Sequence, residues 1–214
     1  MTAQRKLALS SGYTLLLMAV VAAFCFGFAF PIFYDTGGSG LFSKNIQANQ
    51  MLYMVMLSTL VLIVVLDVIV SYTLMYFFNA DSSRIAIQAY YLRMCYTAVF
   101  VVANYFLLIN LKESDGQAAQ LNYRLFATIW SAGLIIFGVH LLALGRLMKI
   151  HKKMPRYLWY LTFVAGVSYV LVHSLKLAMP AFESSTNTLN NILALPMALG
   201  ELGLAVWFIL KGGK

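Results

Sequence analysis

Charge is scarce in this chain: 10% of its 214 residues are Asp, Glu, Lys or Arg, where soluble domains carry about 25%. Cysteine is limited to Cys25 and Cys95, proline to four residues and histidine to three. Two distant cysteines within apolar stretches do not make a disulfide framework, and no C-x-x-C or Cys/His ligand spacing suggests zinc. Both thiols are expected to be free, buried and used in packing. Acidic residues number seven against fifteen basic ones, a net charge of +8. In a soluble protein that balance would suggest nucleic acid. Here the basic residues sit in short connectors between apolar runs, so membrane topology accounts for them and no nucleic-acid partner is expected.

What the chain has instead is apolar length. Hydrophobic residues make up 62% and the mean hydropathy is +0.81. Crossing a bilayer takes about 20 apolar residues, and six segments qualify, at about 10–34, 51–78, 84–110, 124–147, 157–180 and 190–210. The expected fold is an all-α, polytopic transmembrane bundle of six helices forming one domain over 1–214. Arg5 and Lys6 precede an apolar stretch from Leu7 to Tyr34. That run is longer than the about 7–15 residues of a signal-peptide core, so it reads as a retained first span. The connectors carry turn chemistry: Asp35 to Gly40 reads as a flexible loop, Asn79 to Ser83 as a tight turn, and Ser184 to Asn191 as a polar linker. Tyr34, Tyr53, Tyr76, Tyr123, Tyr157, Trp159, Tyr160 and Trp207 lie near span ends and are expected to form interfacial belts.

Orientation follows from Lys and Arg. With both termini in the cytoplasm, eleven basic residues fall on the inner side, five of them within Arg146–Arg156. Lys44, Lys112 and Arg124 fall outside, so the positive-inside rule places the N- and C-termini in the cytoplasm. The Arg146–Arg156 loop reads first as this topology signal and second as a contact for anionic lipid.

Against that background the ionisable residues inside the spans stand out: Asp67, Arg93, His140, His173, Lys176 and Glu201. A lone charge at mid-bilayer costs about 2.5–3.5 kcal/mol on insertion scales, so such side chains face the bundle interior and find partners. At 1.5 Å per residue, Asp67 and Glu201 fall within about 4 Å of the midplane, with Arg93 and His140 about 7 Å toward the cytoplasm. These four are expected to meet in one layer as the ligand- or proton-binding residues. Supporting stripes carry Ser71 after Asp67, Thr97 and Asn104 after Arg93, and Tyr169, His173 and Lys176 together on the fifth span. Arginine keeps its proton, so Asp67 or Glu201 should neutralise Arg93, leaving the other carboxylate protonated or bound to His140. Sharper chemistries fit less well. His140 and His173 are offset by about 15 Å, too far to share a haem. A hydrolytic zinc normally takes three protein ligands, for which His140, Asp67 and Glu201 make a poor set; Ser174 points about 100° from His173, and Ser71 meets His140 only if their helices pack together. No cofactor, metal or catalytic residue is therefore assigned.

The C-terminal third carries a pattern that resembles a known family. Gly138, His140 and Gly145 form a G-x-H-x-x-x-x-G stretch, Pro155 and Arg156 open the next helix, and "GELGLAVW" from Gly200 to Trp207 precedes Lys211 and Gly212. Together with Asp67, Arg93 and Asn104 upstream, these residues resemble the bacterial domain-of-unknown-function family 4386. The resemblance implies a six-helix bacterial inner-membrane protein and groups Asp67, Arg93, His140 and Glu201; it brings no assigned activity. Two positions depart from the family pattern. Tyr96 stands where members often carry Gln or Glu, and His173 where they often carry Asp. The first functional expectation is binding or transport of a small polar ligand or protons at the mid-membrane cluster. A structural or partner-binding subunit locked by its buried charges ranks second, and an intramembrane enzyme on a lipid-like substrate third.

Overall fold

The computed structural model describes residues 1–34, 41–179 and 182–214, and the expected loop Asp35–Gly40 lies outside them. The described residues form α1 (Ala3–Phe24), a π-helical turn (Cys25–Ala29), α2 (Phe30–Tyr34), α3 (Leu41–Ala48), α4 (Gln50–Phe78), α5 (Ser83–Ile109), α6 (Gly116–Ile150), α7 (Arg156–Ala178) and α8 (Glu183–Leu210), with no strand among them. Six spans are long and apolar enough to cross a membrane, the first running continuously from Ala3 to Tyr34. The protein is an all-α, multi-pass membrane bundle.

Several helices outrun the apolar segments that announce them. α1 begins at Ala3 because the Thr2 hydroxyl accepts the Arg5 N–H at 3.2 Å, a hydroxyl N-cap. α6 begins at Gly116 rather than near 124 because Asp115 caps it through the Gln117 N–H at 2.9 Å. The expected polar linker Ser184–Asn191 is helical instead, within α8 from Glu183. Hydropathy measures the apolar slab, whereas helix length is set by caps and breakers, so polar turns continue past the slab. α3, eight residues long, had no expected counterpart. The π turn just precedes Pro31, whose ring lacks an N–H and crowds the preceding turn; the wider turn relieves that crowding.

Helix neighbours follow chain order around a closed ring: α1 against α4, α4 against α5, α5 against α6, α6 against α7, α7 against α8, and α8 back against α1. The ring is fastened where two helices end. Gln4 Nε2 donates to the Phe77 carbonyl at 2.7 Å at the end of α4. Arg5 donates from Nη1 to the carbonyls of Phe208 (3.0 Å) and Gly212 (2.7 Å), and from Nη2 to that of Ile209 (2.6 Å). The Phe77, Phe208 and Ile209 carbonyls are among those that an α-helix leaves unpaired at its C-terminus, Gly212 follows just past the end of α8, and a cation there also meets the negative end of the helix dipole.

Lipid tails are as apolar as leucine, so close packing and small residues hold such helices together. One such close seam is α6 on α7. A Cβ at Gly138 would lie 2.8 Å from the Gly166 carbonyl, and one at Gly166 would lie 2.8 Å from the Gly138 carbonyl. At the other face of the membrane, Tyr34, Tyr53 and Asn110 replace the expected belt with a buried network. Tyr53 donates to the Leu107 carbonyl at 2.7 Å, which leaves Tyr34 to donate to Tyr53 at 2.8 Å. Trp207 is likewise buried among Phe77, His151 and Phe208, so three of the expected belt residues are core residues. Cys25 is buried as expected, but Cys95 is exposed on the outward face of α5.

Gly166→Ala sets a gain of about 1 kcal/mol in helix propensity against overpacking of about 1–3 kcal/mol. Because the opposing atom is backbone, overpacking should win and the melting temperature in detergent should fall. Arg5→Gln should cost about 1–3 kcal/mol through the orphaned carbonyls, with faster amide exchange confined to the end of α8.

Candidate functional site

Arg93 lies on α5 at the inside of the ring, fully buried. Its Nε donates to Asp67 Oδ1 at 2.8 Å, and Nη2 approaches the same oxygen at 2.7 Å. Nη1 donates to Glu201 Oε1 at 3.2 Å. Sequence pairing logic asked for one carboxylate, and the geometry supplies both. Asp67 is held tightly from α4 with 2% of its side chain exposed, whereas Glu201 reaches in from α8 by one longer bond with 23% exposed.

Two further contacts complete the arginine's surroundings, and neither was foreseen. Phe137 of α6 lies under the guanidinium, its centroid 5.3 Å from Cζ, a cation–π arrangement. Met18 of α1 places Sδ 3.9 Å from Nη2. Phe137 had a legible signal, since it sits three residues before His140 and therefore on the same face. Met18 had none beyond its place in the buried stripe of Ser11, Leu15 and Met18.

His140 joins the layer but not the ion network. Its Nδ1 pairs with the Ala89 carbonyl at 2.8 Å, so of the two alternatives left open for the second carboxylate, a bond to His140 is not the one formed. A carbonyl only accepts, so Nδ1 carries hydrogen, and Nε2 is buried without a protein partner. His140, Ser71 and Tyr90 line a cavity of about 10 Å³, room for one water molecule. From His140 a file of rings runs outward through Phe137 (5.7 Å between centroids) to Tyr169 (5.2 Å) and His173 (6.0 Å).

The remaining supporting residues have local roles. Ser71 Oγ donates to the Asp67 carbonyl at 2.7 Å and Thr97 Oγ1 to the Arg93 carbonyl at 2.9 Å, so each hydroxyl is tied to the helix carrying the charged residue. Asn104 Oδ1 and His173 Nδ1 are buried without a hydrogen-bond partner. Lys176 lies in the last turn of α7, one turn beyond His173. Among the described residues, no group of three His, Cys, Asp or Glu is placed to hold a metal ion.

Removing one partner of a buried pair strands the other, a loss of about 3–5 kcal/mol. Arg93→Met should therefore destabilise the purified protein severely. Arg93→Met combined with Asp67→Leu should recover part of the loss, because the sealed Asp67 charge is no longer stranded and the remaining Glu201 can take up a proton; thermal melts of the single and double variants check this.

Residues 10–212 match the family described as "Domain of unknown function (DUF4386)". An "Uncharacterized protein" of Archaeoglobus fulgidus (strain ATCC 49558 / DSM 4304 / JCM 9628 / NBRC 100126 / VC-16) is 31% identical over 153 residues, covering 72% of this chain and 81% of the relative. No solved structure matches the chain.

Proposed function

This chain belongs to the DUF4386 family, and we propose that it binds and relays protons through Glu201, with Asp67 and Arg93 as a fixed ion pair beside it. The observation that carries this reading is the charge count. Two carboxylates share one guanidinium, a formal excess of one negative charge in a layer where Arg93 is fully buried and Asp67 nearly so. An unbalanced charge is costly in such a place, and a single proton removes the imbalance. Glu201 is the natural carrier, because its bond to Arg93 is the longer one and its side chain the more exposed. The cavity at His140, about one turn along α4 and α5 from Asp67 and Arg93, admits a water and nothing of metabolite size, which suits a proton path better than the small polar ligand that the sequence left open. His140 Nε2, buried without a protein partner, can accept a hydrogen bond from that water.

The second reading, a lock that only holds the bundle together, draws on the tight Asp67 contact and the closed surroundings of Arg93. The two readings part at Glu201→Gln. A proton site predicts that the variant folds and melts near the parent, while a protonated-carboxyl band seen by infrared spectroscopy disappears and proton flux into dye-loaded liposomes falls at least about tenfold, as for loss of a proton-transfer group. A parent without flux, or a variant with unchanged flux, rejects it. A variant that also melts early points to the lock.

The orientation we propose has both termini in the cytoplasm of a bacterial inner membrane. It is supported by the basic loop Arg146–Arg156, which would lie against the inner headgroups. A reporter enzyme active only outside the cytoplasm should be silent when fused after Lys153 and active when fused after Lys112.

A further inference from the structure

Outside the charge cluster, the seam between α5 and α6 opens away from the ring into a groove of about 520 Å³. Gln88, Tyr91, Leu92 and Cys95 line it from α5, and Val139, Leu142 and Arg146 from α6, with Gln88 its one uncharged polar amide, toward the rim. Those residues recur at three- and four-residue spacing, so each wall is one helical stripe. The helices run antiparallel, with Ala89 bonded to His140 and Gly133 packed against Val99. That register places Cys95 and Val139 toward the deep end of the groove. It brings Arg146 level with Arg84 near the N-terminus of α5, within about one helical turn.

The rim is cationic, and its nearby carboxylate is turned to another partner. Asp81, the acidic side chain of the α4–α5 turn, is held by His151 at 2.8 Å. Lys149 is placed over the Trp159 ring at 5.2 Å. Arg146 and Arg84 are both exposed and make no ion pair or hydrogen bond among the described residues. An apolar trough about seven residues deep beneath two free guanidinium groups has the amphiphilic polarity of a phospholipid, and arginine forks match phosphate oxygens.

We propose that the α5–α6 groove is a binding site for one anionic phospholipid, with its phosphate at Arg146 and Arg84 and an acyl chain lying along Leu92, Cys95, Val139 and Leu142. The site differs from general lipid contact because its depth selects a chain and its rim selects a headgroup. It is independent of proton binding at Glu201, since neither Arg146 nor Arg84 touches the charge cluster.

The test uses the full chain in liposomes and two photoreactive probes, phosphatidylglycerol and phosphatidylcholine carrying the same diazirine-labelled acyl chain. Phosphatidylglycerol should label peptides containing Tyr91–Cys95 and Val139–Leu142, ahead of phosphatidylcholine. Arg146→Gln should lower that labelling about fivefold, the effect of one basic residue at a membrane surface. Val139→Trp, which fills the trough from an exposed position and leaves the rim intact, should lower it with an unchanged melting temperature. Equal labelling by the two probes, or labelling spread evenly onto lipid-facing Val61 and Val101, overturns the proposal. Efficient oxidation of Cys95 to a disulfide-linked dimer overturns it too, by placing a second copy of the chain in the groove.

Discussion

The rest of the structure depends on the neutralisation of Arg93. A guanidinium cannot give up its proton to suit an apolar setting, so its position dictates what surrounds it. Asp67 sets α4 beside α5 at a register where one oxygen meets two nitrogens at 2.7 and 2.8 Å. Glu201 brings α8 to the same layer, Phe137 supplies the aromatic face from α6, and Met18 closes the side toward α1. Only close packing, at Gly138 and Gly166, is needed to bring in α7.

Much of this was legible in the amino-acid sequence, because bilayer physics is strict. A charge inside an apolar run must find a partner, and the runs must be about 20 residues long. Those two rules suffice for an all-α six-span bundle and for the association of Asp67, Arg93 and Glu201. They do not say which carboxylate is the closer, since that depends on helix order around the ring. They also misplace His140, because a histidine can satisfy itself on a backbone carbonyl and leaves no trace of that choice in residue type. The interfacial belt failed at Tyr34, Tyr53 and Trp207 for a similar reason. A tyrosine near a span end has an apolar body and a polar tip, so it suits a buried hydroxyl chain as well as a headgroup layer. Tyr34 and Tyr53 took the first option, while Tyr157 and Tyr160 remain exposed.

Lock and proton site are not opposed in this geometry. One carboxylate is fixed by short contacts and nearly sealed; the other is held by a single longer one and partly open. The first supplies the permanent countercharge that Arg93 requires, which frees the second to change its charge without abandoning the arginine. A cluster with a single carboxylate could only be structural. The extra acid turns a staple into a group with two charge states, and the water-sized cavity at His140 lies about one helical turn away, lined by Ser71 and Ala89.

The chain-ordered ring has a consequence for how the protein is made. Each helix emerging from the ribosome finds its neighbour already in the membrane, so no span need wait for a distant one. The α4–α5 hairpin carries Asp67 and Arg93 together, and can enter the bilayer as a neutral pair rather than as two separate ions. Glu201 arrives on the final helix, and the same helix must reach back to the first, where Arg5 grips its last carbonyls. Until that moment the nascent bundle is an open arc with a balanced charge. Seating α8 is thus one late event that closes the wall and introduces the surplus carboxylate, so an unfinished chain never holds the unbalanced charge.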